Sequence, residues 1–164
     1  MKPTPIPASR PDRTAGFTLI ETTAVIAIVG AMAAAAWPRM TALAGDARHA
    51  ALEQARASLS TVATMSHAKF LINGQAAQTF QDSTVALVHG YPAASQATAE
   101  AAGLGAGFMA LAQPSSPGAL MLVPRDLAGS ARAADCFLVY EQASAARPVP
   151  RISLGANARP ETCN

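Results

Sequence analysis

A chain of 164 residues and 16.7 kDa has room for one globular head and an anchor, but not for two domains besides. Apolar residues make up 51% of it, yet much of that share is alanine, which buries little surface per residue, so the core should be modest. Twelve Lys and Arg stand against ten Asp and Glu, and no basic cluster follows the first fourteen residues, which speaks against nucleic-acid binding.

Residues 1–16 hold Lys2, Arg10 and Arg13 beside Asp12, and without them the remainder is near neutral. From Phe17 to Trp37 the chain reads FTLIETTAVIAIVGAMAAAAW, about twenty-one residues, enough as a helix to cross a hydrocarbon core roughly 30 Å thick. The positive-inside rule puts the basic end in the cytoplasm and the rest outside. Trp37 and Arg39 then fall at the far interface, where an amphipathic ring and a snorkelling guanidinium are both favoured. A secretory signal peptide has the same ingredients, including an A-x-A-like stretch at Ala34 to Ala36. Glu21 separates the two readings. A carboxylate in an apolar run costs about 2 to 3 kcal/mol near a bilayer centre. A discarded peptide has no use for it, whereas a segment that persists can pair it with a neighbour.

Gly16, Phe17, Thr18, Leu19, Ile20 and Glu21 spell G-F-T-L-I-E ahead of this segment, which resembles the processing motif of the type IV prepilins. The resemblance implies cleavage between Gly16 and Phe17 by a prepilin peptidase, which also N-methylates the new Phe17 amine. A backbone without a side chain at Gly16 would let the protease approach closely. Glu21 falls where family members place a carboxylate opposite the N-terminal amine of an adjacent subunit. Gly30 and Pro38 match two further positions of the pattern. Both are helix weak points, Gly through backbone entropy and Pro through its missing N–H and ring clash, so a kink or local unwinding between them is expected. The small-residue surface of Ala31 and Ala33 to Ala36 suits close helix packing in a filament interior.

Beyond Pro38 no proline interrupts the chain until Pro92, and Leu52, Ala55, Leu59 and Val62 recur at helical spacing with Arg48, Glu53 and Arg56 on other faces. One helix is expected from about residue 18 to about residue 70, with Gly45 a lesser weak point and Asn73-Gly74 the stop. Four short β-leaning runs follow: Thr84 to His89, Leu120 to Val123, Cys136 to Glu141 and Val149 to Leu154. They predict a small antiparallel sheet, with Pro148 and Pro150 confining the last run to an edge or an extended tail. SQATAEAAGL, residues 95 to 104, reads as a short helix with Ser95 as N-cap and Gly103 closing it. Cys136 and Cys163, the only cysteines, suit one disulfide formed in an oxidising compartment.

The expected fold is therefore α+β. The long helix, transmembrane in its first half, packs on a small antiparallel head with a C-terminal disulfide loop, an arrangement the resemblance equates with the type IV pilin fold. The expected divisions are a cleaved leader over 1–16, a transmembrane and assembly helix over 17–38, an amphipathic helix half over 39–72 and a head over 73–164. The segments VALVHGYPAA and CFLVYEQASA, starting at Val85 and Cys136, are similar to pilins of the mannose-sensitive haemagglutinin (MSHA) type.

Chemistry is sparse. His49, His67 and His89 lack ligands at metal spacing, and no phosphate loop, G-x-S-x-G or acid–base carboxylate pair occurs, so neither catalysis nor a cofactor is expected. Asp126 and Asp135 form the one conceivable calcium pair, and with Arg125 and Arg132 alongside they are expected to make ion pairs instead. The function implied is structural. An inner-membrane precursor is processed by the peptidase and methyltransferase, then handed by the assembly machinery to identical subunits in an extracellular pilus, or fimbrium, serving adhesion. The alternatives are a pseudopilin of a type II secretion system, and a binding protein released by signal peptidase.

Overall fold

The computed structural model of the chain describes residues 18–80 and 83–164, the side chains of Thr41 and Ala42 excepted. The described residues divide at Pro38: those up to it form one unit and Arg39–Asn164 a second. The chain is α+β, as expected. Helix α1 (Leu19–Asn73) is helical at every position, Gly30 and Pro38 included. It ends as anticipated. Gly74 takes φ +64°, which an L side chain resists, and its N–H donates to the Phe70 carbonyl to close the last turn.

In the second unit, the buried stripe of α1 is Leu52, Ala55, Leu59, Val62 and Ala63, spaced to share one helix face. Two small antiparallel sheets follow. The first joins β1 (Ala77–Phe80), β2 (Ser83–Val88) and β3 (Tyr91–Pro92) in that order. The second runs β4 (Phe108–Ala112), β5 (Ala119–Pro124), β6 (Leu138–Glu141) and β7 (Arg151–Leu154), also in chain order. Between the sheets lies α2 (Gln96–Ala101), preceded by Ser95 in the extended N-cap conformation, although its side chain makes no capping bond. Two 3-10 turns, Arg125–Leu127 and Ala131–Ala134, bridge β5 to β6.

Strand register decides what the larger sheet buries. Leu120 pairs with Tyr140 and Leu122 with Leu138, and period-two alternation sends all four to one face. That face packs with Leu52, Ala55 and Leu59 of α1, with Phe108, and with Cys136 and Cys163 as the core. The opposite face carries Met109 and Leu111 of β4 and Met121 and Val123 of β5, paired Met109 to Val123 and Leu111 to Met121. Strand β7 is an edge strand, as Pro148 and Pro150 predicted.

Candidate functional site

The N-terminal processing residues come first in the chain. Gly16, Phe17 and the expected leader over 1–16 lie outside the described residues. Immediately after them, Thr18 and Glu21 bond reciprocally. The Glu21 Oε2 accepts from the Thr18 N–H at 3.0 Å and from the Thr18 hydroxyl at 2.9 Å, while the Glu21 N–H donates to that hydroxyl oxygen at 3.3 Å. This is a capping box, in which a Thr at N-cap and a Glu at N3 satisfy amides that open a helix. Sequence reading passed over it, because T-L-I-E was absorbed into a longer motif, although Ser/Thr-x-x-Glu before an apolar run is a helix-start signature in its own right. Glu21 thus finds partners inside its own chain, and it stands in the first turn of α1 rather than deep in the span. Its Oε1 takes no hydrogen bond among the described residues.

Every described side chain from Thr18 to Pro38 is exposed. Leu19, Ile20, Val25, Ile26, Ile28, Val29, Met32 and Trp37 leave no polar face, and the helix is long and apolar enough to cross a membrane. A signal sequence meets the same criterion. A Cβ at Gly30 would meet nothing within 4 Å among the described residues, so none of them requires glycine there.

The C-terminal loop is built as expected and anchored in a way not foreseen. Cys136 and Cys163 are bonded, and both are fully buried. Arg48, expected on a face of α1 other than the apolar stripe, reaches the loop: its Nη1 donates to the Cys163 carbonyl at 2.8 Å and its Nε to Asp126 at 2.7 Å. One turn earlier, Gly45 is buried, and a Cβ there would collide with the Pro160 carbonyl oxygen. What looked like a helix weak point is the seat of the tail. The expected pairing of Asp126 and Asp135 with Arg125 and Arg132 does not occur. Asp126 pairs with Arg48, Asp135 accepts from Asn157 Nδ2 at 3.1 Å, and Arg125 donates to the carbonyls of Gly105 and Ala106.

The histidines are dispersed. His67 stacks on Tyr91 with ring centroids 4.2 Å apart, and its Nδ1 lies 3.2 Å from the Gly90 carbonyl, which can only accept, so that nitrogen carries the proton. Among the described residues no three His, Cys, Asp or Glu side chains group as metal ligands. An apolar hollow of about 310 Å³ lies on the outer face of the larger sheet. It is lined by Met109, Leu111, Met121, Val123 and Phe137 with alanines of the 3-10 turns. Compared with protein families, with curated proteins and with solved structures, the chain matches none.

Proposed function

We propose that the chain is the precursor of a type IV pilin-type structural subunit, cleaved between Gly16 and Phe17, methylated at Phe17 and polymerised into a cell-surface pilus of MSHA type that serves attachment. One observation carries the proposal: the G-F-T-L-I-E motif stands at the head of a helix whose first twenty or so residues are mainly apolar and covered by none of the described residues. Such a surface needs lipid before assembly and other copies of itself afterwards.

The subunit waits in the inner membrane with its basic leader inside. Cleavage frees the Phe17 amine as a cation at the membrane face. A carboxylate in the first turn of a preceding subunit is a natural partner, and of the two Glu21 oxygens it is Oε2 that serves the cap among the described residues. Pairing two opposite charges in apolar surroundings makes register selective, since any other alignment leaves both unpaired. The disulfide-closed head suits the oxidising exterior. Identical subunits, the peptidase and the inner-membrane assembly machinery are then the partners.

Intact mass and N-terminal sequencing of protein sheared from the cell surface test this directly. The expected product begins at N-methylated Phe17. The same product confined to the cell envelope would replace the pilus with a secretion pseudopilus, and a chain beginning near Trp37 would replace both with a released soluble protein.

A further inference from the structure

Asn73-Gly74 closes α1, and it is also the one place in the chain where glycine follows asparagine. That pair carries chemistry of its own. In water a backbone nitrogen can attack the side-chain amide carbon of the asparagine before it, and a glycine there offers no side chain to hinder the approach. A bond forms between the Gly74 nitrogen and Asn73 Cγ, the Cγ–Nδ2 bond breaks, and ammonia leaves with the proton that the attacking nitrogen gives up. Water then opens the resulting succinimide at either carbonyl, which leaves aspartate or isoaspartate at position 73 and releases a proton.

The folded junction opposes each part of this sequence. Asn73 is the last helical residue, and the Gly74 N–H donates to the Phe70 carbonyl at 2.8 Å, so the attacking nitrogen is already engaged. The leaving amide is held as well. Asn73 Nδ2 donates to Gln78 Oε1 at 3.3 Å, while Asn73 Oδ1 accepts from Gln78 Nε2 at 2.9 Å and from the Gln75 N–H at 3.0 Å. Gln78 is only 4% exposed, and its Nε2 also donates to the Gln75 carbonyl at 3.3 Å, so its amide is fixed for this pairing. Ring closure has to break these bonds and turn Asn73 out of its helical backbone angles. Yet Asn73 and Gly74 are both exposed, and water reaches them once the last turn opens.

We propose that Asn73 is a deamidation site gated by the last turn of α1, shut in the folded head and reactive when that turn frays. Helix ends are among the places where local opening comes most easily. The product is not silent. Aspartate at this position still accepts from the Gln75 N–H, but it has no donor for Gln78 Oε1, which is left facing a carboxylate. Isoaspartate adds a methylene to the backbone at the turn that Gly74 shapes with φ +64°. Either change loosens β1, which contains Gln78, from the end of α1, and leaves Lys69 Nζ, 3.1 Å from the Thr79 carbonyl, to hold the strand. The site stands whether or not the chain polymerises.

The test uses the full chain in detergent, held warm at mildly alkaline pH, with the peptide that bears Asn73 followed by mass spectrometry. Loss of ammonia and gain of water mark the reaction, and two chromatographic products distinguish aspartate from isoaspartate. The folded chain should react at least about tenfold more slowly than the same chain reduced and unfolded in guanidinium. Gln78→Ala, with its fold checked by thermal unfolding, should speed the reaction of the folded chain by about tenfold, since both bonds that hold the Asn73 amide to Gln78 are gone. Gln78→Glu, which keeps the acceptor and loses the donor, should fall between the two. A folded chain that deamidates as fast as the unfolded one overturns the gate, as does a folded Gln78→Ala that matches the parent. Should neither variant fold, the comparison of folded with unfolded parent decides alone.

Discussion

Glu21 caps α1, and side-chain chemistry can separate that role from the counter-ion role proposed for it. As a cap it needs only an acceptor oxygen, which Gln also supplies; as a counter-ion to an amine it needs the charge. Glu21→Gln should therefore keep the helix start and lose assembly, and Glu21→Ala should lose both. Thr18→Ala, which removes the cap and keeps the charge, should cost about 1 kcal/mol of helix stability and still assemble. Surface filaments produced by Glu21→Gln at the parental level would leave the carboxylate with a capping role alone. Tyr140 poses a residue-scale question inside the head. Fully buried, it donates its hydroxyl to the Pro92 carbonyl at 2.7 Å, fastening β6 to β3. Tyr140→Phe keeps the shape and strands that carbonyl, at about 1 to 2 kcal/mol. Burial also pushes the phenol well above its ordinary value of 10.0. The folded head then holds its proton where the unfolded chain releases one, so stability contributed by Tyr140 is complete below pH 10 and falls as pH rises beyond it. Denaturant unfolding of the head across that range should show the fall in the parent and a flatter profile in Tyr140→Phe.

At the scale of elements, α1 and the tail form one device. Gly→Ala inside a helix ordinarily stabilises by up to about 1 kcal/mol. At Gly45 the sign should reverse. The new Cβ meets a backbone carbonyl at Pro160, which cannot swing aside as a side chain would, so a loss of about 1 to 3 kcal/mol is expected. Replacing Cys136 and Cys163 together by Ser should cost about 3 to 4 kcal/mol for a loop of this length, the cysteines being 27 positions apart. The two losses should not add. Once the tail is untethered it can yield to the methyl group that Gly45→Ala introduces, and a double-mutant cycle in denaturant would show the shortfall. Full additivity would mean that the disulfide plays no part in holding Pro160 against α1. The helix itself was legible because its stripe and its Asn73-Gly74 stop are local signals. The tail's seat was not: helical periodicity registers a glycine as a defect and says nothing of what approaches it from more than a hundred residues away. β4 and β1 escaped notice for a related reason. FMALA and AQTF carry little β-branching or alternation, and they become strands through pairing with β5 and β2, whose own patterns were readable. Gly16 and Phe17 could be read only as a motif, while the Thr18–Glu21 box was present in the same letters and was obscured by it.

For the molecule as a whole, apolar surface is divided unequally between the two units. From Leu19 to Pro38 the only ionisable side chain is Glu21, and no side chain is buried. Arg39–Asn164 instead holds the buried core, the disulfide and all three ion pairs found among the described residues. Its own exposed apolar features, the Leu71–Ile72 protrusion and the sheet hollow, are small patches of a size that soluble proteins tolerate. The difference predicts where solubility is decided. The full chain should stay with membranes and require detergent, because the exposed and mainly apolar run from Leu19 to Pro38 has no cover among the described residues. A chain beginning at Arg39 should be soluble and monomeric, unfold cooperatively, and keep the Cys136–Cys163 bond. Sedimentation and thermal unfolding of that fragment decide the matter. Monomers would place the drive for assembly in the first unit. A fragment that polymerises unaided would reverse that order and make the head, not the helix, the element that builds the fibre.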